Sequence, residues 1–230
     1  MIDFHAHVLP CVDDGSRDVA ESLSMLDAMQ AQGVSCVMAT PHFYANDESV
    51  DAFLERRAAA MEALRERPPN SPDIRLGAEV RYYEGISRLA DLSKLRIQDS
   101  RLMLLEMPFA PWSEYAVREV VDIASQGKII PVLAHVERYL FLQKKNVASR
   151  LLECGVLFQT NASFLIERRH RRRALSMIAN GQLHFIGSDC HNLKSRPPNV
   201  ADAYAILEKK HGTAFTAAFT HYQCKLLSQQ

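Results

Sequence analysis

The sequence predicts an α/β fold, a (β/α) barrel of seven parallel strands alternating with helices, as a single domain over residues 1–230. Three observations predict it. Short apolar runs bounded by turn residues alternate with segments of helical periodicity along the whole chain, as buried parallel strands and their crossover helices require. Four helical segments end at a glycine, Gly33, Gly127, Gly155 or Gly181, that leads straight into an apolar run. Glycine accepts the left-handed conformation that closes a helix. Seven strands in this strict alternation suit a closed barrel better than an open sheet.

In chain order, the apolar runs place strands at residues 1–7, 34–40, 74–80, 102–107, 129–135, 156–161 and 183–189. The first helix has Asp18 as N-cap with Glu21 three residues on, and Val19, Leu23, Leu26 and Met29 follow at helical spacing. Further helices are expected at 50–67, 84–95, 114–126, 145–154, 166–180 and 201–210. Residues 67–72, Arg-Pro-Pro-Asn-Ser-Pro, form a Pro-rich loop too short to link domains.

Composition narrows the function classes. The chain is 47% hydrophobic and 23% charged, with 27 Lys plus Arg against 27 Asp plus Glu. That excludes a disordered chain and gives no bulk attraction to nucleic acid or membrane. No apolar run approaches the roughly 20 residues of a membrane span. The opening Met-Ile-Asp-Phe-His lacks a signal-peptide profile, so the expected location is cytoplasmic. The five cysteines, at 11, 36, 154, 190 and 224, form no C-x-x-C pair, which argues against a disulfide framework or a zinc ribbon.

The chemistry gathers at the strand ends. The C-terminal end of the first expected strand carries His5 and His7, and the second leads into His42. The third ends near Glu79, the fourth near Glu106, the fifth at His135, the sixth at Asn161 and the seventh at Asp189, with His191 just beyond. A barrel's active site lies at that face. Residues i and i+2 on a strand point the same way, so His5 and His7 reach one site, as do Asp189 and His191 if the strand continues that far. Imidazole and carboxylate without cysteine suit Mn, Fe or Zn held for hydrolysis, and a carboxylate such as Glu79 can bridge two ions. Asp13-Asp14-Gly15 follows the first strand closely enough for one aspartate to return to the metals. Arg138 and Arg196 fall in loops over the same face, where arginine is suited to phosphate.

These residues resemble the polymerase-and-histidinol-phosphatase (PHP) domain family. The resemblance is carried by Asp3-Phe4-His5-Ala6-His7, Asp13-Asp14-Gly15, Ala39-Thr40-Pro41-His42, Glu79, Leu105-Glu106-Met107-Pro108, Ala134-His135-Val136-Glu137-Arg138-Tyr139 and Gly187-Ser188-Asp189-Cys190-His191. It is strongest to the family's bacterial tyrosine-phosphatase branch, encoded with capsular and exopolysaccharide machinery, and runs from residue 2 to about 209. It implies a distorted, TIM-like seven-stranded barrel holding three divalent ions, manganese first, with iron or zinc as alternatives. His5, His7, Glu79 and Asp189 would hold one ion. Glu79, Glu106 and His135 would hold a second, and Asp14, His42 and His191 a third. Arg138 and Arg196 would bind the phosphate and serve catalysis, with His191 counted as catalytic too. Glu106 stands where many histidinol-phosphatase-type relatives carry histidine. The implied substrate is phosphotyrosine on a protein, the tail of a bacterial tyrosine autokinase. Nucleic acid and membrane insertion are not expected, and self-association stays open.

Other readings remain at this point. One is a histidinol-phosphate or other small phosphomonoester phosphatase on the same scaffold, another a metal-dependent nuclease, and a third a non-catalytic metal-binding scaffold. Cys-x5-Arg occurs at Cys11–Arg17 and Cys190–Arg196, the spacing of cysteine-dependent phosphatases. The first copy encloses two aspartates, and the second lacks the glycines that let a phosphate loop curl. Finally, Arg168-Arg169-His170-Arg171-Arg172-Arg173 opens a helix, where cations oppose the dipole at up to ~1 kcal/mol each. The run is expected to dock an acidic partner or a neighbouring subunit.

Overall fold

A computed structural model describes residues 1–229; Gln230, the last residue of the expected domain, lies outside the described residues. In chain order the elements are β1 (Ile2–Ala6), α1 (Val19–Ala31), β2 (Cys36–Ala39), β3 (His42–Phe43), α2 (Val50–Glu62), β4 (Asp73–Leu76), β5 (Glu79–Arg81), β6 (Leu102–Glu106), α3 (Glu114–Ser125), β7 (Ile130–Leu133), α4 (Val147–Glu153), β8 (Leu157–Asn161), α5 (Ala162–Ile166), α6 (Arg168–Ala179), β9 (Phe185–Gly187), α7 (Val200–His211) and α8 (Thr213–Leu227). The paired strands run parallel, in the orders β1-β2-β4 and β3-β5-β6-β7-β8-β9.

The nine strands make up the seven expected, because two are interrupted and run past their expected bounds, into β3 and to the end of β5. Thr40-Pro41 breaks one into β2 and β3, and Gly77-Ala78 breaks its neighbour into β4 and β5. Pairing continues across the break, with Gly77 N–H donating to the Ala39 carbonyl at 2.8 Å and Glu79 N–H to the Pro41 carbonyl at 3.0 Å. The two edges then meet. Asp189 N–H donates to the His5 carbonyl at 2.7 Å and His7 N–H to the Cys190 carbonyl at 2.9 Å. These bonds lie just beyond β9, so the barrel closes at its C-terminal rim, where the site residues are.

Inside the ring, Ile2, Phe4, Met38, Leu102, Leu104, Val132, Ala134 and Phe185 form one buried cluster, with Phe4 and Phe185 stacked at 3.7 Å between centroids. Their neighbours on the same strands, such as Val37, Met103, Leu105, Leu133 and Ile186, face the surrounding helices. Strands buried on both faces read as continuous apolar runs for this reason. Gly33, Gly127, Gly155 and Gly181 take positive φ, as helix–glycine–strand junctions require.

Several elements differ from the sequence reading. The helix expected at 84–95 is two single 3-10 turns, Ile86–Arg88 and Leu92–Leu95. The buried Glu119 carboxylate on α3 accepts bonds from Gly85 N–H, the Ser87 hydroxyl and the Tyr82 hydroxyl, and so binds the segment in a non-helical path. On α1, Asp18 caps Glu21 N–H as expected, but the buried stripe is Ser22, Met25, Leu26 and Met29, and Val19 is exposed. The segment expected as one helix over 166–180 is preceded by the separate short α5, and α6 starts at Arg168. α8 was not expected. Its Leu226 and Leu227 join the barrel-interior cluster, and the Leu227 and Gln229 carbonyls accept from Arg75 and from Arg101 N–H. The helix thus plugs the end of the barrel opposite the site. Among the described residues no helix is long and apolar enough to cross a membrane.

Candidate metal centre

β1 delivers its ligand-type side chains through an irregularity. Asp3 pairs with Val37 but Ala6 with Ala39, so β1 carries one extra residue between these pairs. A bulge of this kind breaks the two-residue alternation and re-aims side chains. Phe4 stays in the apolar interior while the next residue, His5, turns into the polar centre above it. Two glycines make room. A Cβ on Gly187 would lie 2.5 Å from His5 Cβ, and one on Gly15 would lie 2.4 Å from His7 Cβ.

Glu79, only 1% exposed, is the hub of the centre. Its Oε2 lies 3.1 Å from His5 Nε2, 3.3 Å from His7 Nε2 and 3.1 Å from His42 Nδ1, and its Oε1 lies 2.8 Å from His135 Nε2. Asp189 Oδ1 is 3.6 Å from His5 Nε2 and 3.5 Å from His7 Nε2. Asp14 Oδ1 faces His42 Nε2 at 3.5 Å and His191 Nε2 at 3.3 Å. Glu106 Oε1 lies 3.6 Å from His135 Nε2, and its other oxygen pairs with Arg81 at 2.8 Å.

Three groups have ligand atoms close enough to share a cation: His5, His7, Glu79 and Asp189; His7, Asp14, His42 and His191; and His42, Glu79 and Glu106. The first has the composition implied by the resemblance. The second adds His7 to the implied set, and the third holds His42 where His135 was expected, although His135 is also beside both glutamates.

The donor set fits divalent ions. His5 Nε2 and His7 Nε2 face each other at 3.1 Å. Ligands about 2.1 Å from one tetrahedral ion stand about 3.4 Å apart, the spacing seen around this pair. His42 Nδ1 and His191 Nε2 are buried, face carboxylate oxygens and make no hydrogen bond. Burial would depress the His5 and His7 pKa values, yet the surrounding carboxylates hold both above the ordinary imidazole value. For Glu79 and Asp189, burial would favour the neutral acid, but His5 and its neighbours keep both far below the usual carboxylate range. Burial and the nearby His7 bring His191 down to about 4, so it offers a neutral imidazole. A dense set of anionic oxygens and lone-pair nitrogens is what a cation cluster neutralises.

Asp13 and Asp14, left open in the sequence, separate here. Asp13 Oδ2 accepts from His7 Nδ1 at 2.6 Å and from His42 N–H at 2.9 Å, so Asp13 orients His7, while Asp14 faces the imidazoles. Gln159 was not singled out in the sequence. Its Oε1 accepts from His135 N–H at 2.6 Å and lies 3.4 Å from His5 Nδ1, and its amide donates to Asn161 Oδ1 at 3.0 Å. Asn161 in turn donates to Asp189 Oδ2 at 2.8 Å. The Gln-x-Asn spacing on one strand was the available signal, since i and i+2 share a face. Asp189 and His191 do not extend β9. They follow it in a turn where Asp189 has φ 55, and His135 has φ 31. Left-handed backbone at non-glycine residues costs about 1–3 kcal/mol each, and such outliers gather at functional sites.

Both arginines reach the centre. Arg138 and Arg196 each place a guanidinium nitrogen 2.6 Å from Asp189, on opposite oxygens, while remaining about two-fifths exposed. The Cys-x5-Arg spacings have no such geometry. Cys190 is wholly buried, and burial pushes its thiol far above the range of a reactive thiolate. Cys11 Sγ donates to the Arg17 carbonyl, and the Arg17 guanidinium pairs with Glu21 instead.

The family model described as capsular polysaccharide synthesis, CpsB/CapC, matches residues 1–227. The chain belongs to this family. It is 30% identical to the tyrosine-protein phosphatase YwqE of Bacillus subtilis, over all of this chain and 92% of that protein. It is also 30% identical to the tyrosine-protein phosphatase CpsB of Streptococcus pneumoniae, over 92% of this chain and 91% of that one. A crystal structure from work on YwqE and CpsB, described there as unique metal-dependent tyrosine phosphatases, superposes with a TM-score of 0.84 at 29% identity. It covers all of this chain and 96% of its own. A structure from Listeria monocytogenes, with a TM-score of 0.52 at 14% identity, shares the fold, covering 83% of this chain and 95% of its own.

Proposed function

We propose that the chain is a cytoplasmic, metal-dependent protein-tyrosine phosphatase acting on a bacterial tyrosine kinase that governs capsular or exopolysaccharide synthesis. The observation that carries this reading is Glu79, a buried carboxylate touching four imidazoles, beneath two arginines that converge on one neighbouring aspartate. His5, His7, Asp14, His42, Glu79, Glu106, His135, Asp189 and His191 would hold three divalent ions, manganese foremost. Such ions supply Lewis acidity and a water acidic enough to attack phosphorus near neutral pH. Arg138 and Arg196 bind the non-bridging phosphoryl oxygens and stabilise the charge that builds as the P–O bond breaks. Asp13 and Gln159 fix the orientation of His7 and of His5 with His135. Phenolate, with a conjugate-acid pKa of about 10, leaves without strong general-acid help.

The test is turnover of para-nitrophenyl phosphate and a phosphotyrosine peptide. A strong chelator should abolish both activities and manganese should restore them. Cys11→Ser and Cys190→Ser should leave both intact. Activity that survives the chelator, or is lost in either cysteine variant with metal content and fold unchanged, overturns the proposal.

A further inference from the structure

A cleft of about 490 Å³ opens beside the metal centre, with Arg138 and Asn161 on the inner wall and Phe141 and the first turns of α6 on the outer one. Asn161 and Arg138 both touch Asp189, so the cleft is continuous with the place where the phosphoryl group would bind. Its charges are unequally satisfied. Glu137 has its oxygens taken by the Thr160 hydroxyl and Asn161 N–H, and Glu167 is paired with Arg169 at 2.8 Å. Arg173 lines the cleft, is exposed, and makes no hydrogen bond or ion pair among the described residues.

The basic run is therefore not one uniform patch. Arg171 donates to the Leu165 and Ile166 carbonyls at the end of α5, a structural role. Arg173 alone of the run both faces the cleft and lacks a partner among the described residues. Phe141 lines the same cleft and packs against Phe109, with ring centroids 6.3 Å apart; at 60% and 67% they are the most exposed large apolar side chains among the described residues. They rise from the loops after β6 and β7. An exposed aromatic pair next to an unpaired arginine offers an extended peptide apolar contact and a selective charge.

We infer that this cleft is a specificity subsite that takes an acidic side chain flanking the phosphotyrosine, with its carboxylate on Arg173 and its backbone against Phe141. The inference rests on the phosphatase reading above and narrows its substrate to phosphotyrosine in an acidic context. Arg173 does not act on the reacting phosphate. It positions the peptide, so its effect belongs in KM.

The experiment uses the manganese-loaded enzyme with phosphotyrosine peptides in which flanking residues are Glu, Ala or Lys, and with para-nitrophenyl phosphate. The expected order of kcat/KM is Glu, then Ala, then Lys. Arg173→Ala should raise KM for the Glu peptide about three- to tenfold, the scale of a partly exposed charge pair, and narrow the Glu-to-Lys ratio by a similar factor. Arg173→Lys should recover part of the preference, and turnover of para-nitrophenyl phosphate should stay at the wild-type value. Equal kcat/KM for the three peptides in the wild-type enzyme overturns the subsite and leaves the phosphatase reading standing. So does an Arg173→Ala loss that is the same for all substrates. Failure to hydrolyse any phosphotyrosine peptide overturns both.

Discussion

Replacing Asp13 with Asn tests the proposal that Asp13 orients a metal ligand while Asp14 is itself one. Asp13 Oδ2 accepts from His7 Nδ1 at 2.6 Å and from the His42 backbone N–H at 2.9 Å, while Oδ1 accepts from Gly15 N–H at 3.0 Å. The carboxylate holds the His7 proton on Nδ1 and turns Nε2 toward Glu79 and Asp189, where it would offer its lone pair to a bound cation. An amide has a single acceptor oxygen for these two positions. With that oxygen toward His7, the new NH2 group opposes Gly15 N–H. With the NH2 group toward His7, the imidazole must carry its proton on Nε2, where it cannot hold a cation. Either arrangement forfeits a charge-assisted bond of about 1.5–3 kcal/mol, which corresponds to about a tenfold to hundredfold loss of metal affinity. Calorimetric titration of Asp13→Asn and Asp14→Asn with manganese, alongside metal stoichiometry, reads this directly. Asp13→Asn should retain every ion at lower affinity, and Asp14→Asn should bind one ion fewer. Wild-type affinity in Asp13→Asn would refute the orienting role. Loss of a whole ion in Asp13→Asn, with none lost in Asp14→Asn, would reverse the two assignments.

Three further outcomes are expected. Arg138→Ala and Arg196→Ala should each lower turnover of an aryl phosphate by about ten- to a thousandfold with metal content retained; loss of metal in both would make them structural supports of Asp189. His184 is buried away from the centre, and burial brings its pKa down to about 4, so the folded state stays neutral where the unfolded chain, near 6.5, takes a proton. Stability should therefore be unaffected above the unfolded value and fall as pH drops from 6.5 toward 4, by about 2 kcal/mol between pH 7 and 5; denaturation of His184→Gln should show a shallower acid slope, and an unchanged slope would contradict the assignment. Leu227→Ala should destabilise the fold by about 2–4 kcal/mol, because α8 seals the barrel interior with this side chain, and a change below about 1 kcal/mol would show that the seal matters little.

The alternation of strand and helix, the helix–glycine junctions and the gathering of imidazoles and carboxylates at the strand ends are all legible in the residues. Each is a local property, set by side-chain periodicity, by glycine's backbone freedom, or by residue type next to an apolar run. Tertiary structure decided what depends on distant partners. The 84–95 segment has helical periodicity, but Glu119 on another element takes its backbone and hydroxyl donors. α8 carries few charges and no clear polar face, and what makes it structural is the open barrel end that Leu226 and Leu227 fill. The choice between Asp13 and Asp14 turns on which carboxylate reaches His7 Nδ1, and adjacent identical residues give no sequence signal for that. The arginine run looked uniform because charge is legible in sequence while pairing is not. Only the packing of α5 against α6 assigns Arg171 to its carbonyls and leaves Arg173 facing the cleft.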